Sequence, residues 1–426
     1  MTKKPDAPAI RFKGFSDAWE QRKLGELVDR VVRKNTNNES TLPLTISAQY
    51  GLVDQITYFN NRVASRDVSN YYLVLNGEFA YNKSTSDGYP FGAVKRLDLY
   101  EKGVLSTLYI VFSPKKEQQV DSDFLTVFFD TDRWHKGVAE RAAEGARNHG
   151  LLNISAEDFF DIDLSVPKDV AEQKQIGAFI RLLDNLITLH QRKFEKLTNV
   201  KKSMLEKMFP QNGCSYPEIR FKGFTDAWEQ RKLGEMGQTY TGLSGKTKDD
   251  FGHGQARFVT YMNVFSNPIS NPEMTEPIEI DPKQNEVEVG DVFFTTSSET
   301  PEEVGMSSIL LEKRGKTYLN SFCFGFRPSE KIDSYYLAYM LRSESTRAKI
   351  ILLAQGISRY NISKNKVMEI AVSLPSLDEQ KMIGQYFSQL DNLITLHQRE
   401  LEKLQNIKKS MLEKMFVYGG TRKWES

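Results

Sequence analysis

The chain has 426 residues, a formal net charge of +1 and 39% hydrophobic residues. This length is enough for two or three domains with separate cores, and the near-zero charge excludes a global basic field that would attract nucleic acid, although not a local basic groove. Its only cysteines are Cys214 and Cys323, too few for a disulfide framework, and no apolar run approaches the roughly 18 residues that span a membrane. The first residues also lack the apolar core of a signal peptide, so we expect a cytoplasmic protein.

The first element in chain order is a fifteen-residue motif that the chain contains twice. FKGFSDAWEQRKLGE begins at Phe12 and FKGFTDAWEQRKLGE at Phe221, and they differ only at Ser16 and Thr225. Shorter identical blocks recur at offsets of 207 or 208 residues: NIS at Asn153 and Asn361, LDNLITLHQR at Leu183 and Leu390, and KKSMLEKMF at Lys201 and Lys408. A period this long excludes a solenoid and indicates the duplication of a domain-sized unit.

The segments after the two opening motifs differ from each other. Residues from about 30 to 150 share little with residues from about 238 to 357, but a faint register survives. NGEFAYNKSTSDGYPFGAV from Asn76 aligns with VGDVFFTTSSETPEEVGMSSI from Val289. Both predict a turn, a short strand, a polar Ser/Thr-rich loop and another strand. Similar folds with different loops would present two different recognition surfaces in one geometry.

A long helix follows each variable segment. Pro167 and Pro375 prevent an earlier helical start, and Pro210 ends the first helix. Each helix should therefore have roughly 35 to 40 residues and span about 50 to 60 Å. Apolar residues recur in each at alternating steps of three and four, which predicts a heptad seam that includes one histidine per copy. The predicted seam contains Leu183, Ile187, His190 and Leu197 in the first helix and Leu390, Ile394, His397 and Leu404 in the second.

An apolar stripe of this length needs a partner, and the other copy of the helix is the obvious one. A pseudo-twofold axis would make the pair antiparallel; the alternative is that each helix packs only on its own domain. The same symmetry would place the first opening motif beside the end of the second helix. We therefore expect the motif to be a joint that fixes each globular domain to a helix end through Trp19 and Trp228.

Together these features resemble the DNA-specificity subunit of a type I restriction–modification system. The resemblance covers the whole chain and depends on the twice-written FKGF-DAWEQRKLGE, the LP/VP…EQ…IG…LD entry to each helix, the LDNLITLHQR helices and the two divergent domains. It implies an α+β fold in which two similar target-recognition domains, each a mixed sheet with loops and short helices, are separated by two long antiparallel coiled-coil helices with pseudo-twofold symmetry. The expected domain boundaries are 1–170 and 211–377 for the recognition domains and 171–210 and 378–418 for the spacer helices.

The resemblance also implies a function and partners. Each recognition domain would bind one half of a bipartite site in double-stranded DNA, while the helices set the gap and dock two DNA methyltransferase (modification) subunits. Motor–nuclease (restriction) subunits would join through the same helices. The chain itself would be non-catalytic and bind no cofactor, with S-adenosylmethionine, ATP and Mg on the partner subunits.

The residues themselves offer no catalytic or metal site. GLSGKT at Gly242 lacks the first glycine of a nucleotide-binding loop, because Tyr240 occupies that position. The five histidines are scattered and fit no zinc spacing, and no Asn-Pro-Pro-aromatic motif for holding an extruded adenine occurs. The sequence therefore predicts recognition without catalysis.

Direct readout requires side chains with paired donors and acceptors on elements that can enter the major groove. The Ser/Thr-rich loops offer Lys83, Ser84, Ser86 and Tyr89 in the first copy and Thr296, Ser297 and Ser298 in the second. A second segment precedes each NIS and offers Arg147, Asn148 and His149, or Arg359 and Tyr360. The alternatives are that the loops are solvated hairpin tips and that the second segments only cap the next stretch of chain. Phosphates could be contacted by Lys95, Arg96, Arg141, Lys313, Arg314 and Arg347.

One other class of function stays open at this stage, a tandem coiled-coil scaffold or adaptor that does not bind DNA. A structural duplication should diverge evenly along its length. This chain keeps its helices and opening motif nearly unchanged while the loops differ throughout, which favours two different recognition surfaces.

Overall fold

The computed structural model describes residues 7–47, 50–86, 88–116, 120–142, 150–211 and 213–417. The chain forms two compact units, Met1–His190 with Glu400–Ser426, and Gln191–Arg399. Each unit therefore contains one globular domain and one part of each long helix. The four-part division at residues 170, 210 and 377 stays a prediction. In the described ranges, no helix is both long enough and apolar enough to cross a membrane.

The elements of the first half of the chain are short apart from one helix. Its strands are β1 Glu20–Lys23, β2 Val28–Arg30, β3 Leu44–Ser47, β4 Gly51–Asp54, β5 Tyr72–Leu75, β6 Phe79–Asn82, β7 Ala93–Arg96, β8 Lys102–Leu105, β9 Ile110–Pro114 and β10 Asp163–Val166. Its helices are α1 Leu24–Leu27, α2 Gln55–Phe59, α3 Ser122–Phe129, α4 His135–Arg141, α5 Ala156–Phe160 and the long α6 Val170–Lys207.

The second half repeats this plan with its own additions. Its strands are β11 Glu229–Lys232, β12 Gly237–Thr241, β13 Phe251–Val259, β14 Thr275–Ile278, β15 Val292–Thr295, β16 Ser297–Ser298, β17 Ser307–Ile309, β18 Thr317–Leu319, β19 Cys323–Pro328, β20 Tyr360–Asn361 and β21 Ala371–Leu374. Its helices are α7 Tyr261–Ser266, α8 Ser334–Met340, α9 Glu344–Ile351, α10 Lys364–Met368 and the long α11 Leu377–Lys414.

Corresponding antiparallel sheets form the centre of each unit. The strand order is β2-β9-β6-β7 in the first unit and β12-β19-β15-β17 in the second. In both, the strand before the Ser/Thr-rich loop pairs with the strand after the loop, β6 with β7 and β15 with β17. The predicted strand–loop–strand arrangement is thus confirmed. The variable segments add different pieces, the β3–β4 and β5–β8 pairs in one unit and the β14-β13-β18 sheet in the other.

The helical prediction is confirmed for both long helices. Each of α6 and α11 has 38 residues and thus spans about 57 Å. Inside the first unit, α6 meets α11 through an ion pair between Asp184 and Lys408, 2.6 Å apart. Inside the second unit, the twin residues Asp391 and Lys201 form the reciprocal pair at 2.5 Å. Because low-numbered residues of one helix meet high-numbered residues of the other in each unit, the helical segments run antiparallel.

Burial along the seam is uneven. Leu183 and Leu390 are 6% and 8% exposed and belong to the cores of their units. Ile187 and Ile394, which the heptad pattern places in the same seam, are only half-buried. The seam leads us to expect that Ile187 and Ile394 are buried like Leu183 and Leu390, and this expectation is wrong. A pair of helices alone covers only part of each seam side chain where the globular domain no longer contributes. The other predicted seam residues, His190, Leu197, His397 and Leu404, are also half-buried.

The opening motif forms the predicted joint in both units. In the first unit, Trp19 packs edge-on against Phe416, with ring centroids 6.1 Å apart. In the second unit, its twin Trp228 packs in the same way against Phe209 at 6.3 Å. The strands just after these tryptophans also correspond, since β1 pairs antiparallel with β10 and β11 with β21.

Buried ion pairs complete each joint. Arg11 binds the carboxylate of Glu172 at 2.6 and 2.8 Å, and the twin Arg220 binds Glu379 at 2.7 and 2.8 Å. Side-chain exposure is 0% for Glu172 and 1% for Glu379. The hydrogen bond to Glu172 raises the pKa of Arg11 above its ordinary value.

The Gln of the Glu-Gln dipeptide and the Gly of the Ile-Gly dipeptide, both near the start of each long helix, have different packing roles. The Gln380 side chain accepts a hydrogen bond from the backbone N–H of Asp333 at 3.0 Å and donates one to the Pro375 carbonyl at 2.9 Å. At Gly384, an added Cβ would lie 2.6 Å from the Asp333 carboxylate and 2.7 Å from the backbone nitrogen of Tyr336. Glycine is thus required where α11 crosses the start of α8, and Gln173 and Gly177 occupy the same places where α6 crosses α3.

Candidate nucleic-acid interface

In the first unit, the Ser/Thr-rich loop and the segment before NIS lie side by side. Ser84 forms a β-bridge with Leu151. The backbone N–H of Thr85 donates to the carbonyl of Gly150 at 2.6 Å. We call this pair of segments, residues 83–86, 88, 89 and 150–152, the first loop edge. The predicted contacts Arg147, Asn148 and His149 lie outside the described residues.

The corresponding segments also meet in the second unit. The short strands β16 and β20 pair antiparallel, with Ser298 opposite Tyr360. The backbone N–H of Ile362 donates to the Thr296 carbonyl at 3.0 Å. We call residues 296–299 and 359–362 the second loop edge. In both units, the fold thus brings together two candidate segments that lie more than 60 residues apart in the sequence.

The predicted contact residues differ in how accessible they are. Ser84, Ser86, Tyr89 and Arg359 are exposed, whereas Lys83, Thr296, Ser297 and Tyr360 are half-buried. Ser298 is buried, with 6% exposure. DNA contact by all of these residues stays a prediction.

Three of the polar side chains hold the loops in shape. The Thr296 hydroxyl donates to the Phe322 carbonyl at 2.9 Å, and the Ser298 hydroxyl donates to the Thr300 carbonyl. The Lys83 ammonium donates to the Ile154 carbonyl at 3.4 Å. The sequence could not show these roles, because each acceptor is a backbone carbonyl that the fold positions.

The cations expected at phosphates are engaged inside the protein. Five of them pair with carboxylates: Lys95 with Asp130, Arg96 with Asp98, Arg141 with Asp161, Lys313 with Glu286 and Arg314 with Glu273. Arg347 donates to the carbonyls of Gly305, Glu302 and Val304, and burial lowers the pKa of Arg347 to about 10. Arg96 is buried, with 8% exposure, and Arg347 is half-buried, so neither is a freely exposed surface charge.

The glycine-rich segment at Gly242 has a structural role as well. Lys246 pairs with Asp281 at 2.9 Å and with Asp250 at 3.7 Å. The hydrogen bond from Lys246 lowers the pKa of Asp281, and the hydrogen bond to Asp281 raises the pKa of Lys246. A lysine held between two carboxylates is a poor phosphate ligand, which agrees with the missing glycine of the nucleotide-binding motif.

Comparison with known proteins decides between the two classes of function. Residues 17–199 and 225–406 each match the family of the type I restriction modification DNA specificity domain. The chain belongs to this family. Its two copies coincide with the duplication seen in the sequence, and each match begins inside an opening motif and ends inside a long helix.

Two specificity subunits of Methanocaldococcus jannaschii are similar over nearly their full length. The type I restriction enzyme MjaVIII specificity subunit is 24% identical over 414 residues, which cover 92% of this chain and 91% of that protein. The putative type I restriction enzyme MjaX specificity subunit is 22% identical over 419 residues, with 92% of each covered. The S subunit of a type I restriction–modification system from M. genitalium has the same fold, with a TM-score of 0.56, 15% identity, and 96% of this chain and 99% of that one covered.

This specificity subunit is therefore a non-catalytic recognition protein, and the adaptor alternative is not favoured. Among the described residues, no group of three or more His, Cys, Asp or Glu side chains could hold a metal ion. The two loop edges present hydroxyl, amide, aromatic and guanidinium groups.

The long helices of the specificity subunit carry a second apolar stripe besides the seam. Leu182 and Leu189 on α6 are 56% and 47% exposed, and Leu393 and Leu396 on α11 are 44% and 53% exposed. Leu189 and Leu396 occupy twin positions in the LDNLITLHQR blocks. We call these four residues the outer leucine stripe. Sequence reasoning missed them as a surface, although they lie in or beside the best preserved block, because the heptad pattern directed attention to the seam.

Proposed function

We propose that each unit of this specificity subunit binds one half of a bipartite site in double-stranded DNA through its loop edge. The proposal rests on one observation. In both units, the Ser/Thr-rich loop lies against the segment that comes before or includes NIS. The Ser/Thr-rich segments belong to the part of the chain where the two copies differ most, and the segments that they meet lie at its end. Two equivalent edges with different side chains would select two different half-sites.

We further infer that the outer leucine stripe docks two modification subunits, one on each unit. Exposed leucines clustered on each helix, with Leu189 and Leu396 exposed at twin positions, support an apolar partner on each unit. The restriction subunits would join the same assembly. S-adenosylmethionine, ATP and Mg would be bound by these partners, and the assembly would be cytoplasmic.

Methylome sequencing of cells that express the chain with its modification subunit tests the proposal. We expect methylated adenines in a motif with two specified halves and an unspecified gap. Cells with the modification subunit alone provide the control and should lack that motif. A chain that binds the modification subunit without producing any sequence-dependent methylation would contradict the proposal and favour an adaptor.

A further inference from the structure

A cleft of about 290 Å³ opens beside the second loop edge. Its wall contains residues from both segments of that edge, Ser297, Ser298, Glu299 and Arg359, and from three neighbouring elements, Tyr261, Met262, Phe265, Glu303 and Phe322. The cleft is built rigidly: Tyr261 donates to the Ser297 carbonyl at 2.6 Å and stacks on Phe265 with ring centroids 6.0 Å apart. Burial raises the pKa of Tyr261, so its hydroxyl keeps the proton that it donates.

Three exposed charges line this cleft without a direct partner. In the described part of the chain, Arg359, Glu299 and Glu303 make no hydrogen bond or ion pair through their side chains. Elsewhere in the same unit, guanidinium groups near carboxylates pair with them, as Arg327 does with Asp291 at 2.8 Å. The cleft therefore presents one strong donor and two strong acceptors to an external molecule.

Two carboxylates at the surface of a DNA-binding edge restrict what the cleft can approach. Phosphates would be repelled by Glu299 and Glu303, and the major groove offers amino-group donors only at cytosine N4 and adenine N6. An arginine that binds a base in a bidentate manner needs two adjacent acceptors, which guanine supplies through N7 and O6. Adenine places a donor next to its N7 and does not fit the same guanidinium.

Resting on the function proposed above, we propose that this cleft recognises one G·C base pair of the second half-site. Arg359 donates to guanine O6 and N7. One of the two glutamates accepts a hydrogen bond from cytosine N4. Met262 and Phe322, which are 53% and 57% exposed, contact the apolar C5 edge of the same cytosine, next to N4.

The cleft thus contains the groups that complement a single G·C pair, which presents two acceptors, one donor and an apolar edge in the major groove. The wall combines residues from β16, from α7, from the turn before β19 and from the segment before β20. These segments are distant in the sequence, which explains why only Ser297, Ser298 and Arg359 could be predicted from it.

The first experiment compares methylomes of the complex with its modification subunit. The variants are Arg359→Ala, Glu299→Gln and Glu303→Gln, and Lys331→Ala is the control, because Lys331 is also an exposed cation of the second unit but lies outside the cleft. We expect Arg359→Ala to make one G·C position of one half-site degenerate, with discrimination there falling roughly ten- to a hundredfold. One of the two glutamate variants should relax the same position. The other half-site and the control motif should stay unchanged.

A second experiment needs no change in the protein. Duplexes carry 7-deazaguanine in place of each guanine of that half-site, one at a time, so that pairing is kept and the N7 acceptor is lost. We expect one such duplex to bind the wild-type complex more weakly than the unmodified site. The Arg359→Ala complex should not distinguish the two duplexes.

The outcomes separate this inference from the proposed function. If the wild-type complex methylates a bipartite motif that all three cleft variants leave intact, the inference is overturned and the function stands. A position that changes but proves to be A·T, or changes in both half-sites, also overturns it. If the wild-type complex methylates no motif, the function fails and the inference fails with it.

Discussion

At the scale of single residues, the duplicated motifs are explained by two buried ion pairs. Arg11 and Arg220 directly precede the two opening motifs, and Glu172 and Glu379 come from the starts of the long helices. A buried carboxylate is costly unless it is paired and hydrogen-bonded, so both partners of each pair must be kept together. This requirement accounts for identical residues in segments of the sequence that are about 160 positions apart.

The first prediction removes one partner of such a pair. Arg220→Met leaves the Glu379 carboxylate, 1% exposed, buried without a counter-ion. We expect the free energy of unfolding to fall by about 3–5 kcal/mol, measured by urea denaturation. Arg314→Met is the matched control, because Arg314 and Glu273 are 56% and 72% exposed and their pair should contribute less than about 1 kcal/mol. Equal losses in the two variants would show that the joint does not depend on this pair.

The sequence predicts the role of a single residue when that role follows from the repeat. It does not predict the role when the residue's partner is brought close only by the tertiary fold. Trp19 and Trp228 can be predicted at the joint because symmetry alone places them there. The pairing of Lys95, Arg96 and Lys313 with carboxylates is not predictable, because their partners are 2 to 35 residues away in sequence and are selected by the fold.

At the scale of elements, α6 and α11 carry two apolar stripes that differ in exposure. The seam side includes Leu183 and Leu390, which are buried in the cores of their units. The outer leucine stripe includes Leu189 and Leu396, which are about half exposed. Helix length and the seam could be predicted from periodicity and the flanking prolines. The degree of burial at Ile187 could not, because it depends on how far the globular domain extends along the helix.

The second prediction concerns the seam. Replacing Leu183 and Leu390 by alanine together should lower the free energy of unfolding by roughly 2–5 kcal/mol per site, because each change leaves a cavity in a core. Thermal melting followed by circular dichroism would measure this loss. An unchanged melting temperature in the double variant would contradict the packing described for the two helices.

The third prediction concerns the outer stripe and uses the same chemical change. Leu189→Ala with Leu396→Ala removes exposed side chains, so the melting temperature should change little. Assembly with the modification subunit, measured by analytical size exclusion and isothermal titration calorimetry, should weaken at least tenfold. Normal assembly by this double variant would place the docking surface elsewhere.

At the scale of the whole molecule, the same backbone hydrogen bond joins the end of a long helix to the residues before an opening motif in each unit. Only in the second unit does the chain run directly from that helix to that motif. In the second unit, the backbone N–H of Ile219 donates to the Lys207 carbonyl at 2.9 Å. In the first unit, the backbone N–H of Ile10 donates to the Lys414 carbonyl at 3.0 Å. Ile10 and Lys414 therefore stand in the same relation as Ile219 and Lys207, which the chain connects directly.

The fourth prediction depends on this equivalence. A permutant in which the present termini are joined and the chain is opened between Phe209 and Phe221 should assemble with the modification subunit and methylate the same motif. Its melting temperature should lie within a few degrees of the original, because every element keeps its contacts. A permutant that folds and assembles but methylates nothing would contradict the cyclic arrangement.

Exchange of one variable segment tests whether each unit recognises its half-site independently of the other. Residues from about 30 to 150 are replaced by the matching segment of a related specificity subunit, and the methylome of the resulting complex is sequenced. We expect a motif in which one half has changed and the other half and the gap are those of the original. A motif in which both halves change together would show that the two units do not recognise DNA independently.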